Sequence, residues 1–194
     1  DIKVVNQFVP SHRTVKALEI GGNNPPGSEL HDSYIYKIEM GMYFNTLLTG
    51  PILGATHGVL LEYLDQTRSR FGAMFGEKVS EQASVQQKIG ESFEELRTAD
   101  LIIDSLSDFL HQEGQAGRSI IGADRLKIRR ESAMAAQLCL KSGTRLSGMM
   151  GVSAQSGRNP AQRHFRDLRT MSTHGCIHWD LFLIHFSEPT RPDR

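Results

Sequence analysis

From about residue 39 onward, apolar residues recur at the three-to-four spacing of helices with one buried face. Leu47, Leu48, Ile52, Ala55, Val59, Leu60, Tyr63 and Leu64 mark such a face over residues 39–70. Pro51 falls within it and predicts either a kink or the true first turn. Gly50, Gly54, Ala55 and Gly58 are small enough for another backbone or a flat ligand to come close. After a break at residues 71–80, the stripe Val85, Ile89, Phe93, Leu96, Ile103, Leu106 and Leu110 predicts a second helix over about 81–113, with Gly114 and Gly117 as its stops. At ~1.5 Å per residue this is a rod about 45–50 Å long, a length suited to bundles that assemble into oligomers.

A third helix is predicted over about 119–141 and a short fourth over 144–151, separated by a break at Gly143. Pro160 suits the first position of the next helix, which carries Arg163 through Thr173 and runs up to His174. Trp179, Leu181, Phe182, Ile184 and Phe186 predict a last helix over about 178–187, before a tail expected to fray over 189–194. The sum is a mainly α up-down bundle with long helices and short connections.

The start of the chain reads differently. Residues 2–9 are β-branched and strand-like, yet no second strand follows. A lone strand has an unpaired edge. The chain is therefore expected to be the C-terminal piece of something longer, or else to pair this strand with a partner subunit. Residues 10–38 are dense in Pro, Gly and Asn and predict a long irregular connection.

Composition narrows the class only coarsely. The 194 residues are 39% hydrophobic and 23% charged, ordinary for a soluble domain with a core. Lys+Arg and Asp+Glu are both 22, so no net charge draws the chain toward nucleic acid or a membrane. Cys139 and Cys176 are too few for a disulfide scaffold and suit a reducing, cytoplasmic setting. No apolar run approaches the ~20 residues that span a bilayer.

Candidate chemistry is sparse. His174 and His178 have half the spacing of a zinc site but no third ligand in view, so no metal is expected. Cys139 and Cys176 show no triad spacing. No Walker or dinucleotide fingerprint is present. The small, polar stretch from Gly151 to Gly157 can offer backbone N–H groups to an anion. Arg68 and Arg70 can add charge-assisted bonds. The basic cluster Arg125, Lys127, Arg129 and Arg130 reads as a solvated face. His174 can donate a hydrogen bond or act as acid or base near neutrality, although a lone histidine is more often structural.

Four stretches, in order, resemble the C-terminal part of the acyl-CoA dehydrogenase fold, and most closely its flavin-dependent monooxygenase branch, the oxygenase components of two-component aromatic hydroxylases. They are Phe8 to Val15, Gly54 to Leu60 with Gln66 to Arg70, Val85 to Glu91, and Pro160 to Leu168 with His174. The resemblance implies that residues 1–15 end a middle β-domain, contributing one N-terminal strand. It makes 16–38 a linker, 39–188 the C-terminal helical bundle and 189–194 a tail. True dehydrogenases of this fold carry a catalytic Glu nine residues after the Arg of the Arg-Asp pair. Counting from Arg166, that position is Gly175, preceded by His174.

The resemblance implies an oxygenase component that takes reduced flavin from a reductase partner. Reaction with O₂ through a C4a-hydroperoxyflavin would hydroxylate an aromatic or polycyclic substrate, with His174 as the catalytic residue. It assigns flavin contacts to Arg70, with Arg68 as the other register, and to Gly151, Val152, Ser153 and Gln155. Tyr43, Phe44, Asn45 and Cys176 become substrate walls. Ala83 or Ser84 stands where dehydrogenases place a Gln, which favours FMN over FAD. A homotetramer is expected. The alternatives are an N- or S-oxygenase, a dehydrogenase with its base displaced to Glu39 or Glu62, or an oligomerisation module that has lost the flavin. The fragment alone is expected to bind flavin poorly.

Overall fold

The computed structural model describes residues 2–20, 25–73 and 76–179. A single turn, α1 (Ala17–Ile20), precedes four longer helices. These are α2 (Met40–Arg68), α3 (Ala83–Gln115), α4 (Gly122–Met149) and α5 (Pro160–Met171). α2, α3 and α4 pack against one another, and α5 lies on α2 and α4. Ile52, Val59, Tyr63, Leu96, Leu106, Ile128 and Leu146 are nearly inaccessible and form the centre. Among the described residues no helix is long and apolar enough to cross a membrane.

Two expectations are corrected and a third is narrowed. Residues 2–9 form no strand: among the described residues the only bridge joins Phe71 and Lys78, and Ile2 and Phe8 stand exposed. A strand needs a ladder partner, and none pairs with this segment among the described residues. Pro51 lies inside α2, neither at its first turn nor at its end. Its missing N–H frees the Leu47 carbonyl on an exposed face, where water can bond it. Gly143 is no break, because α4 runs through it as one helix. There the absent side chain serves packing: a Cβ on Gly143 would lie 2.3 Å from Leu168 Cδ2 on α5. The helix predicted over 178–187 lies outside the described residues beyond Trp179.

The stop at the end of α3 forms as a Schellman motif. Arg118 N–H reaches Glu113 O at 3.0 Å and Gly117 N–H reaches Gly114 O at 3.1 Å, with Gly117 at φ +65°. Gly114 itself is inside the helix, and Tyr34 packs over it. The Tyr34 hydroxyl also shares a hydrogen bond with His111 Nδ1 at 2.5 Å, so the irregular segment before α2 is pinned to α3. Of the basic cluster, Arg125 donates to Ile120 O at 2.8 Å and pairs with Glu39 at the start of α2, while the Lys127 ammonium sits 5.0 Å over the Phe109 ring. Arg129 and Arg130 face solvent.

Between α3 and α4 an ion cluster is half sequestered. Arg145 donates to both oxygens of Glu95, at 2.6 and 2.9 Å, and to Ser92 Oγ at 2.9 Å, while Lys141 sits 2.7 Å from Glu95. Burial by itself pushes the Glu95 carboxyl up. The hydrogen bonds from Arg145 and Lys141 more than offset this and hold it below the ordinary carboxylate value.

Two outcomes follow from this packing. Gly143→Ala should destabilise the protein by about 1–3 kcal/mol through overpacking against Leu168. Gly148→Ala, in the same helix with nothing within 4 Å of its new methyl, should stabilise by about 0.5–1 kcal/mol; urea midpoints at an unchanged slope would show both. The lowered Glu95 value means its contribution is complete above the unfolded pKa, near ~4.3, and is lost as pH falls through the folded value. Glu95→Gln should flatten that part of the acid limb in a stability-versus-pH series.

Candidate active site

Two clusters form at opposite ends of the α2–α5 pair. α5 runs antiparallel along α2. Gln66 Nε2 donates to Asn159 Oδ1 at 3.2 Å, His164 covers Gly58, and His174 meets Phe44. A Cβ on Gly58 would lie 2.8 Å from the His164 ring, so the close approach expected near these small residues is made by an imidazole. Asn159 caps α5, its Oδ1 accepting Ala161 N–H at 3.0 Å, with Pro160 in the first turn.

The first cluster gathers Arg70 and Gly151. The Arg70 Nη1 group donates to the carbonyls of Met149 at 2.8 Å and Met150 at 3.1 Å, which end α4. A cation there complements the partial negative charge of a helix C-terminus. Gly151 has φ +78°, and a Cβ on it would lie 3.1 Å from Arg70 Nη2. The backbone conformation favours glycine here, and the guanidinium lies close beside it. Nε and Nη2 of Arg70 bond to no group among the described residues. An open hollow of about 280 Å³, lined by Tyr63, Gln66, Thr67, Ser69, Arg70 and Met150, adjoins them. A guanidinium with two free donor groups beside a glycine turn fits an anionic group. Arg68 is exposed and has no bonding partner among the described residues. Val152 is 90% exposed and Gln155 is also exposed. The backbone of Ser153 is helical, and its side chain lies outside what is described.

The second cluster gathers His174, Phe44 and Cys176. The His174 and Phe44 rings meet edge to face, 6.0 Å apart and inclined at 67°. Cys176 N–H donates to His174 Nδ1 at 3.2 Å. The Cys176 thiol is free and half-buried. Tyr43 and Asn45 do not share this wall. Successive helix residues are ~100° apart, so Tyr43 lines a separate apolar hollow with Tyr36 and His31, and Asn45 is buried in the bundle at 4% exposure. Cys139 is buried too, and desolvation pushes its thiol up to about 12, which removes it as a nucleophile. Of the displaced-base candidates, Glu39 is engaged by Arg125.

Sequence reasoning missed the acceptors of Arg70 and the Gln66–Asn159 amide pair, because neither main-chain carbonyls nor tertiary amide pairs leave a spacing signal. The Asn-Pro start of α5 was available as a cap and went unused.

The chain as a whole has counterparts. Residues 46–179 match the model of the family described as "Acyl-CoA dehydrogenase, C-terminal domain". The chain belongs to that family. It is 28% identical over 184 residues to a pigment production hydroxylase of Rhodococcus sp. (strain ATCC 21145), covering 93% of this chain and 46% of that protein. It is 26% identical over 179 residues to the flavin-dependent monooxygenase oxygenase subunit HsaA of Rhodococcus jostii (strain RHA1), covering 90% and 46%. The chain thus spans about half the length of the curated relatives it matches. Its fold is that of the crystal structure of 3-HSA hydroxylase from Rhodococcus sp. RHA1, with a TM-score of 0.79 at 24% identity over 97% of this chain and 50% of that one. XiaF from Streptomyces sp., solved with FADH2 and glycerol, gives 0.77 at 16% identity, covering 97% of this chain and 49% of that one.

Arg70→Ala removes two charge-assisted bonds to the end of α4 and should cost about 1–3 kcal/mol. Arg68→Ala should stay within about 0.5 kcal/mol. Equal losses in chemical denaturation would contradict the placement of the two side chains.

Proposed function

We propose that the chain is the helical half of the oxygenase component of a two-component flavin-dependent monooxygenase that hydroxylates an aromatic or polycyclic substrate. The observation that carries this reading is His174, flanked by Phe44 and Cys176, one residue before Gly175, the position at which the resemblance places the catalytic Glu of a dehydrogenase. Without that carboxylate nothing at this position abstracts a substrate proton as a dehydrogenase requires. The match to oxygenase subunits supports the same branch.

The residues present fit a flavin. The Arg70 guanidinium and the glycine turn at Gly151, which a Cβ would fill, suit its phosphate. When bound, the reduced flavin supplies the activation of O₂, chemistry that belongs to the cofactor. The chain's part is to bind, orient and shield. His174 supplies a hydrogen bond at the reacting edge, and Phe44 offers an apolar wall that excludes water. Along α2, ~36 Å of helix separates Phe44 from Arg68 at ~1.5 Å per residue. That is far beyond the reach of one FMN, so the two clusters serve one cofactor only if they come from different copies, in keeping with a homotetramer. The sequence favours FMN; an FADH2-bound neighbour of the same fold makes FAD the comparison to run. A flavin reductase partner and a cytoplasmic setting complete the reading.

The test supplies reduced FMN, and separately reduced FAD, from a flavin reductase to the native protein, then adds O₂ and a phenolic substrate. Hydroxylated product with little H₂O₂ is expected, and His174→Ala should lower coupled product by about 100-fold. Flavin reduction by an acyl-CoA in the absence of O₂ would replace this reading with a dehydrogenase.

A further inference from the structure

The main chain from Met171 to Ile177 is a succession of short turns. His174 N–H reaches Met171 O at 3.1 Å, and Ile177 N–H reaches His174 O at 3.0 Å. Ser172, at the end of α5, is tied back twice, its N–H to Leu168 O at 3.0 Å and its hydroxyl to the same oxygen at 2.7 Å. Ile177 is 1% exposed and belongs to the core. The turn carrying His174 is therefore anchored on both sides.

Inside this turn Cys176 N–H donates to His174 Nδ1. A side chain accepting from the amide two residues on is the bond that Asp and Asn make in Asx turns. Here an imidazole makes it. A neutral imidazole carries one N–H, so the nitrogen that accepts is the bare one. We infer that the Cys176 amide holds neutral His174 as the Nε2–H tautomer, so that this histidine meets its ligand as a hydrogen-bond donor and not as a base. Among the described residues nothing bonds to Nε2, and the only ring contact, Phe44, is apolar and leaves the nitrogen free. A proton could be accepted only at Nδ1, at the expense of the bond to Cys176. Cys176 is thus a positioning residue that acts through its main chain, and its thiol is dispensable for this role. What the donor is used for rests on the oxygenase reading above. The tautomer rests on the turn alone.

Long-range proton–nitrogen correlation spectra of the native protein with ¹⁵N-labelled histidine decide the point, with the His174 signals assigned by their loss in His174→Ala. With the ring neutral, Nε2 should show the shift of a protonated nitrogen and Nδ1 that of a bare one. The reverse pattern, or two averaged shifts, overturns the inference. Cys176→Ala keeps the amide and should keep the pattern. Cys176→Pro removes it and should average the shifts, and an unchanged pattern there overturns the inference. If Cys176→Pro does not fold, the native and Cys176→Ala spectra still decide. His174→Asn can preserve the turn through its side-chain oxygen while removing the outward donor, and should lower coupled product by about 100-fold. An Nε2–H pattern in a native protein that makes no oxygenated product sinks the oxygenase reading and leaves the tautomer standing. Product made by a protein with the reversed pattern does the opposite.

Discussion

Everything at the candidate site depends on how closely α5 can approach the helices beneath it. Two missing methyl groups set that distance. At Gly58 the His164 ring occupies the space a Cβ would need, and at Gly143 Leu168 does the same. Interiors are packed at crystal-like density, so one carbon at either point would lift α5 or tilt it. The turn at its C-terminus would move with it, and His174 would no longer meet Phe44. Glycine within a helix costs up to ~1 kcal/mol against alanine. Here the buried Leu168 contact offsets that cost.

The other end of α5 is held by different means. Asn159 caps the helix and exchanges amide bonds with Gln66 of α2, while Arg70 ties the end of α2 to the end of α4. One guanidinium thus closes a helix C-terminus and stands beside the glycine turn suited to an anion. The structural bond and the proposed binding role can share this side chain without conflict, because only Nη1 is used for the carbonyls.

Polar groups elsewhere have mostly been drawn into structure. Glu95, Arg145 and Lys141 join α3 to α4, Arg125 holds Glu39, and Tyr34 is bonded to His111. His174 differs in that its single polar bond is internal to its own turn, leaving one ring edge available. That contrast, more than the identity of the residue, is what supports the role proposed for it.

The apolar periodicity outlined α2 and α3 to within a few residues and showed α4 in two pieces, because burying a stripe every three to four residues is a local demand on the chain. The Pro160 start of α5 and the Gly117 stop of α3 were legible for the same reason: a missing N–H and a positive φ are properties of single residues. The family could be read from Pro160 to His174 and from the absence of a Glu at Gly175. The rest was decided by tertiary structure. Gly143 reads as a break until Leu168 fills it. Residues 2–9 read as a strand, but among the described residues no second strand pairs with them. Arg70 and Gly151, or Phe44 and His174, stand too far apart in sequence for any local pattern to join them. Only the packing of α2 against α4, and of α5 across both, brings such residues into contact, because contact is a property of surfaces that meet and not of spacing along the chain.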